Sequence, residues 1–317
     1  MRKLLAYGAI YILWGGSFLA IREIVLVAAV PPFFAAAVRF LIAGFALLVW
    51  SRLSGPLQIN ARQFLSAAAL GFVMFACDYA SLFWGETRVA SGLAAVVFAM
   101  IPVWIFAGEL LLRTQRATPL ATGGIALGFA GVIVLSLRSG SGPAVSSTLA
   151  VLAMIGGTLC WSIGTLWSRH LSLPRPQRAN AGLQMFTGGF FLFLAAAATG
   201  ELHRLPPTPV LFSSRVLVSL AYLIVAASII SYTAYVWLLT HDSPTRVSSY
   251  AYVNPVFALL LGATLAGERL TPLQIGGAVL VLAGVFATLM GKNKTVVLSV
   301  PNATAAGTQS PPPSSVR

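Results

Sequence analysis

Apolar stretches long enough to cross a lipid bilayer recur along this chain at about 4–22, 33–51, 64–84, 89–112, 119–137, 148–168, 181–199, 216–240, 245–266 and 272–290. Each crossing needs roughly 20 apolar residues, and they must be helical because lipid offers no partner to an open backbone. The expected fold is therefore an all-α integral membrane protein with ten transmembrane helices, and in 317 residues that leaves no room for a sizeable extramembrane domain. Composition agrees: with 58% apolar and 9% charged residues the chain lacks the ionic groups that keep a soluble surface wet. Met1-Arg2-Lys3 resembles the start of a signal peptide, but no small-residue cleavage pattern follows, so the first apolar run reads as a span.

The net charge of +13 raises the question of nucleic acid. Its Lys and Arg residues are scattered one or two per loop, with neither a cluster nor an interleaved aromatic face, which argues against that partner. If the amino terminus is cytoplasmic, thirteen basic residues fall on that side: Arg2, Lys3, Arg52, Arg62, Arg113, Arg116, Arg169, Arg175, Arg178, Arg246, Lys292, Lys294 and Arg317. Six fall opposite (Arg22, Arg88, Arg138, Arg204, Arg215 and Arg269), so both termini are expected in the cytoplasm. Cys77 and Cys160 lie in different apolar runs without CxxC spacing or a neighbouring His, and read as packing residues rather than a metal or redox pair. His170, His203 and His241 are far apart and near span ends, so no metal and no cofactor is expected.

The two halves match each other. An offset of 153 pairs Trp84 with Trp237, Pro102 with Pro255, Arg116 with Arg269, Gly123-Gly124 with Gly276-Gly277 and Gly131 with Gly284. Earlier in each half, Trp14 pairs with Trp161 at an offset of 147 and Arg39 with Gln184 at 145. The expected organisation is a first repeat at 4–137, a Gly/Ser/Pro linker at 138–147, a second repeat at 148–290 and a disordered cytoplasmic tail at 291–317. Five spans per repeat force the second copy into the opposite orientation. Inverted repeats recur in secondary transporters, where rocking one half on the other alternates access to a midplane site.

Several strings, WGGSFLAIRE from Trp14, VRFLIAG from Val38, SGLAAVVFAMIPVW from Ser91, SSYAYVNPVFALLLG from Ser248 and GERLTPLQIGGAVLVLAGV from Gly267, resemble the drug/metabolite transporter superfamily. The likeness is to its ten-helix group with paired EamA domains, and within it to the YedA-like exporters. It implies a permease of the bacterial inner membrane exporting small metabolites, amino acids or drug-like compounds through a central cavity. One departure is visible, since the Gly267-Glu268-Arg269 turn has Gln115-Arg116 as its counterpart and the first half lacks the carboxylate.

Ionisable groups inside spans are costly and mark functional candidates. Arg39 and Asp78 fall in the second and third spans at depths that allow an ion pair, and Asp78 and Glu109 are the proton-coupling candidates. Glu86 and Glu109, near span ends, read as able to reach interfacial water. Trp14 and Trp161 lie too deep for an interfacial belt, and Tyr250 and Asn254 share a helix face beside Tyr252 and Pro255. With Arg39, Asp78 and Gln184 these form the expected lining of a substrate path. Gly124, Gly128, Gly276 and Gly284 read as helix-packing positions, within the bundle or in a homodimer. The expected partners are a small-molecule substrate and the lipid bilayer. No GxxxxGK[ST] motif is present, so ATP does not drive the chain in cis. An integral membrane enzyme acting on lipid, a lipid flippase and a channel are the alternatives; the first needs clustered catalytic side chains, and no two acidic residues lie within three positions of each other.

Overall fold

The computed structural model describes residues 1–89, 94, 97–136, 148–265 and 271–290. Regular structure among them is entirely helical. The principal helices are α1 (Arg2–Val27), α2 (Pro32–Leu53), α3 (Ala61–Gly85), α4 (Ile101–Leu111), α5 (Pro119–Ser136), α6 (Thr148–Trp167), α7 (Gln177–Ala198), α8 (Ser214–Leu239), α9 (Tyr250–Leu265) and α10 (Pro272–Met290). Six of these, α1, α2, α3, α6, α7 and α8, are long and apolar enough to cross a membrane, and α4, α5 and α10 are shorter apolar helices. The 138–147 linker, the Glu268-Arg269 turn and the 291–317 tail lie outside the described residues.

Local sequence sets the helix starts. Asn60 and Gln63 form a reciprocal capping box ahead of α3, Asn60 Oδ1 accepting from Gln63 N–H at 2.8 Å. Pro32 opens α2, where its missing donor costs nothing. The α2 terminus is also capped from a distance: Glu201 Oε2 accepts from Phe34 N–H at 2.9 Å, a carboxylate at the positive end of the helix dipole. Three stretches wind as π-turns, Glu23–Val27 in α1, Gly71–Cys77 in α3 and Leu223–Ile230 in α8, and such widened turns redirect backbone carbonyls.

Glycines bring helix pairs close. On α2 and α7, Gly44 meets the backbone of Gly182 and Phe186. On α5 and α10, Gly124 and Gly128 meet Gly284 and Thr288, while Gly276 faces open space. Further pairs are α3 with α6, α1 with α8, α4 with α6 and α1 with α9. Large apolar side chains such as Phe45, Leu65, Phe72, Val218, Val279 and Phe286 remain exposed on the outside, the surface a lipid-facing bundle requires.

Candidate functional site

The bundle interior is an aromatic cluster built around Trp14 and Trp161. Their ring centroids are 6.0 Å apart and edge-on, so residues matched by the 147-residue offset meet at the centre. Trp14 also packs on Tyr250 at 4.5 Å and Tyr235 at 5.4 Å, and its Nε1 donates to the carbonyl of Ala227 at 2.7 Å. That carbonyl belongs to the π-turn stretch of α8.

Beside this cluster lies a cleft lined by Trp14, Ser17, Phe18 and Ile21 of α1, Asp78, Tyr79 and Leu82 of α3, Trp161 of α6, and Tyr250 and Asn254 of α9, with Phe98 and Ile101 at its side. It is a small cavity of about 50 Å³. In this conformation the cleft admits a little water and excludes a drug-sized solute. Its lining steps along α1 from Trp14 to Ile21, next to Arg22, and so leads away from the amino-terminal end.

Among the described residues, Asp78 is the only carboxylate in that lining. It is 2% exposed, and its Oδ1 has no hydrogen-bond partner. The ion pair expected with Arg39 does not form: Arg39, 1% exposed, donates from Nε to Ser228 Oγ at 2.9 Å. Its guanidinium lies over Phe40 and Tyr79, 4.6 and 5.1 Å from the ring centroids. A hydroxyl and two π-faces take the place of the carboxylate, while Arg39 Nη1 stays without a partner.

Of the other sequence candidates, Asn254 lines the cleft, and Gln184, Tyr252, Glu109 and Glu86 are outside its lining. Gln184 accepts from Tyr232 at 2.5 Å and donates to Asn180 at 2.6 Å, holding Tyr232 against Trp161. Tyr252 points to α5, donating to the Ile125 carbonyl at 3.2 Å. With its amide nitrogen set by its surroundings, Asn254 donates to the carbonyls of Tyr11 and Tyr250 at 3.2 and 3.0 Å. Neither Glu109 nor Glu86 reaches out towards interfacial water. Glu109, 2% exposed, accepts from Thr245 N–H at 3.0 Å and Thr245 Oγ1 at 2.5 Å, capping the Pro244–Val247 turn; Glu86 is 4% exposed, with Oε1 unpartnered. Tyr79, Ser17, Phe18 and Ile21 are lining residues missed in the sequence, although Phe18 and Ile21 stand four and seven places after Trp14, on its helix face. Among the described residues no group of three metal-ligating side chains comes together.

The two ends of the bundle carry separate polar clasps. At one, Asp242 sits 3.6 Å from Lys3 and 3.5 Å from Arg246, and Tyr7 donates to it at 3.3 Å. At the other, Arg215 pairs with Glu23 at 3.3 Å.

An apolar helical bundle whose aromatic cleft contains a buried acid suits a membrane transporter, and the comparisons supply the class. The sequence pattern of the EamA-like transporter family matches residues 4–137 and 148–290, and the chain belongs to that family. It is 35% identical over 285 residues to the Uncharacterized inner membrane transporter YedA of Escherichia coli (strain K12), covering 89% of each chain. It is 26% identical to the Probable amino-acid metabolite efflux pump of Salmonella typhimurium, covering 89% of this chain and 93% of that protein. One solved crystal structure shares the fold with a TM-score of 0.73 at 19% identity, over 90% of this chain and 95% of its own. The family is one of transporters, and the lipid-enzyme alternative falls with that assignment.

Proposed function

We propose that the chain is a ten-span carrier of two inverted five-helix repeats that moves small amine-bearing solutes, amino acids or drug-like compounds, across the inner membrane by alternating access coupled to protons at Asp78. The observation that carries this is the Asp78 carboxylate, buried in an aromatic cleft with one oxygen unpaired. An ammonium group, or a proton in its absence, satisfies that oxygen, and the surrounding rings favour a cation over their faces.

Contacts and distortions follow the repeat. α3 packs on α6 as α1 packs on α8, and α4 on α6 as α1 on α9. The offset of 153 lays the π-turns of α3 over those of α8. Lys3 and Arg246 share one end, while Arg215 pairs with Glu23 next to Arg22, which supports the cytoplasmic and outer sides drawn from the basic residues. The efflux-pump name of the Salmonella relative supports an exported amino acid or metabolite. Glu109, already engaged by Thr245, is the weaker proton site.

The test is uptake of labelled amino acids and cationic drugs into proteoliposomes, with and without a pH gradient, for wild type, Asp78→Asn and Glu109→Gln. The expected result is gradient-driven accumulation that Asp78→Asn loses and Glu109→Gln keeps. Accumulation undiminished in Asp78→Asn overturns the role of Asp78, and absence of flux for every solute overturns the carrier.

A further inference from the structure

Nothing in the transport reading uses Cys77 or Cys160, and the sequence keeps them apart. The structure brings them together. Cys77 ends the π-turn stretch of α3, Cys160 lies on α6, and the two free, partly exposed thiols open into one groove. They line an outer groove of about 380 Å³ with Ala80, Ala153, Gly156 and Gly157. The groove is nearly all apolar and lies among helices long enough to span the membrane, so an apolar reagent reaches it from the lipid. Close packing holds the thiols in place, since Gly157 rests on Ser81 and Gly85 on Met154. Each cysteine directly precedes a residue of the cleft wall, Cys77 before Asp78 and Cys160 before Trp161. The same two helix segments thus carry the cleft on one side and the dithiol on the other.

We propose that Cys77 and Cys160 form an oxidisable dithiol, reached from the lipid phase, whose disulfide fastens α3 to α6 and immobilises the cleft wall. The oxidant is a lipid-soluble two-electron acceptor of the quinone class. Two S–H bonds break and one S–S bond forms, while two electrons and two protons pass to the quinone, which leaves as the quinol. A disulfide needs Cβ atoms roughly 3.5–4.5 Å apart, and the glycines that let α3 and α6 approach closely favour that separation for two residues lining one groove. α3 lies in the first half and α6 in the second, so the bond ties the halves together beside Asp78. Arrest of transport rests on the carrier reading above; formation of the disulfide does not.

The experiment uses the full chain in liposomes, with a protease site inserted in the 138–147 linker and decylubiquinone as oxidant. After oxidation and cleavage, the halves are expected to migrate together on a denaturing gel without reductant. They separate with dithiothreitol, and separate in Cys77→Ser and Cys160→Ser without it. Flux is expected to fall about tenfold on oxidation of the wild type alone, because a tied interface leaves one conformation populated, and to return with dithiothreitol. Halves that separate without reductant, with both thiols still alkylated by N-ethylmaleimide, overturn the dithiol. A cross-link that leaves flux unchanged overturns the clamp while the carrier stands. Where no flux exists before oxidation, the carrier reading fails and the gel still decides the dithiol.

Discussion

The Trp14 indole meets its surroundings in two ways, through its ring against Trp161, Tyr250 and Tyr235 and through Nε1, which donates to the Ala227 carbonyl. Trp14→Phe keeps most of the ring and removes the donor, leaving a buried carbonyl short of a partner. The expected loss is about 1–2 kcal/mol, read as a lower melting temperature in detergent. Trp14→Ala also removes the ring and is expected to lose about 3–5 kcal/mol. Ser228→Ala takes the acceptor from a guanidinium that already has one unpaired nitrogen, and is expected to cost about 2–3 kcal/mol, with Ser228→Thr close to wild type. Asp78, Trp14, Trp161 and Tyr250 were legible in the sequence because a polar or indole group deep in an apolar run is conspicuous. The partner of Arg39 was not: charge alone nominated Asp78, whereas the residue that accepts from its Nε is a serine 189 positions away. Tyr79 and Phe18 were hidden because an aromatic residue in an apolar span looks the same facing a cleft or facing lipid.

Helices that touch along glycines give the next scale its sharpest contrast, between Gly284 and Gly276 on the same element, α10. A β-carbon on Gly284 collides with the backbone of Gly128 and Gly124, whereas one on Gly276 meets nothing. Gly284→Val is expected to destabilise the protein by about 3 kcal/mol or more, since neither backbone can yield without parting the helices. Gly276→Val is expected to stay within about 0.5 kcal/mol, the usual range at an open surface position. Equal melting temperatures for the two variants would contradict the α5–α10 packing. The sequence marked all four glycines alike, because spacing identifies a helix face without saying which face meets a neighbour. It placed helix ends within a few residues where polar loops bound the apolar runs, as in α2 and α7, expected at 33–51 and 181–199 and found at Pro32–Leu53 and Gln177–Ala198. The π-turn of α8 was invisible to it, because Leu223–Ile230 contains neither Pro nor Gly.

Across the whole molecule, the cleft lining on α1 runs from Trp14 to Ile21, while Lys3, Tyr7 and Arg246 gather around Asp242 at the amino-terminal end of that helix. Under the proposed alternating access, opening at that end requires this clasp to part, so the clasp is expected to bias which side the cleft faces. Lys3 is half exposed and Asp242 is 15% exposed, so the pair contributes no more than an ordinary surface ion pair. Removing it by Asp242→Ala is therefore expected to raise the population open at that end by roughly twofold to fivefold, the factor equivalent to about 0.5–1 kcal/mol. The population is read from a thiol introduced at Ser17, on the cleft wall, in a background with Cys77→Ala and Cys160→Ala. A membrane-impermeant maleimide applied from the amino-terminal side is expected to label that thiol faster in Asp242→Ala by the same factor, and more slowly from the opposite side. Arg215→Ala, which breaks the pair with Glu23 at the far end, is expected to shift the two labelling rates the other way. Labelling that rises from both sides together in Asp242→Ala would mean a loosened bundle rather than a shifted equilibrium, and the clasp would then hold the fold and not the direction of access.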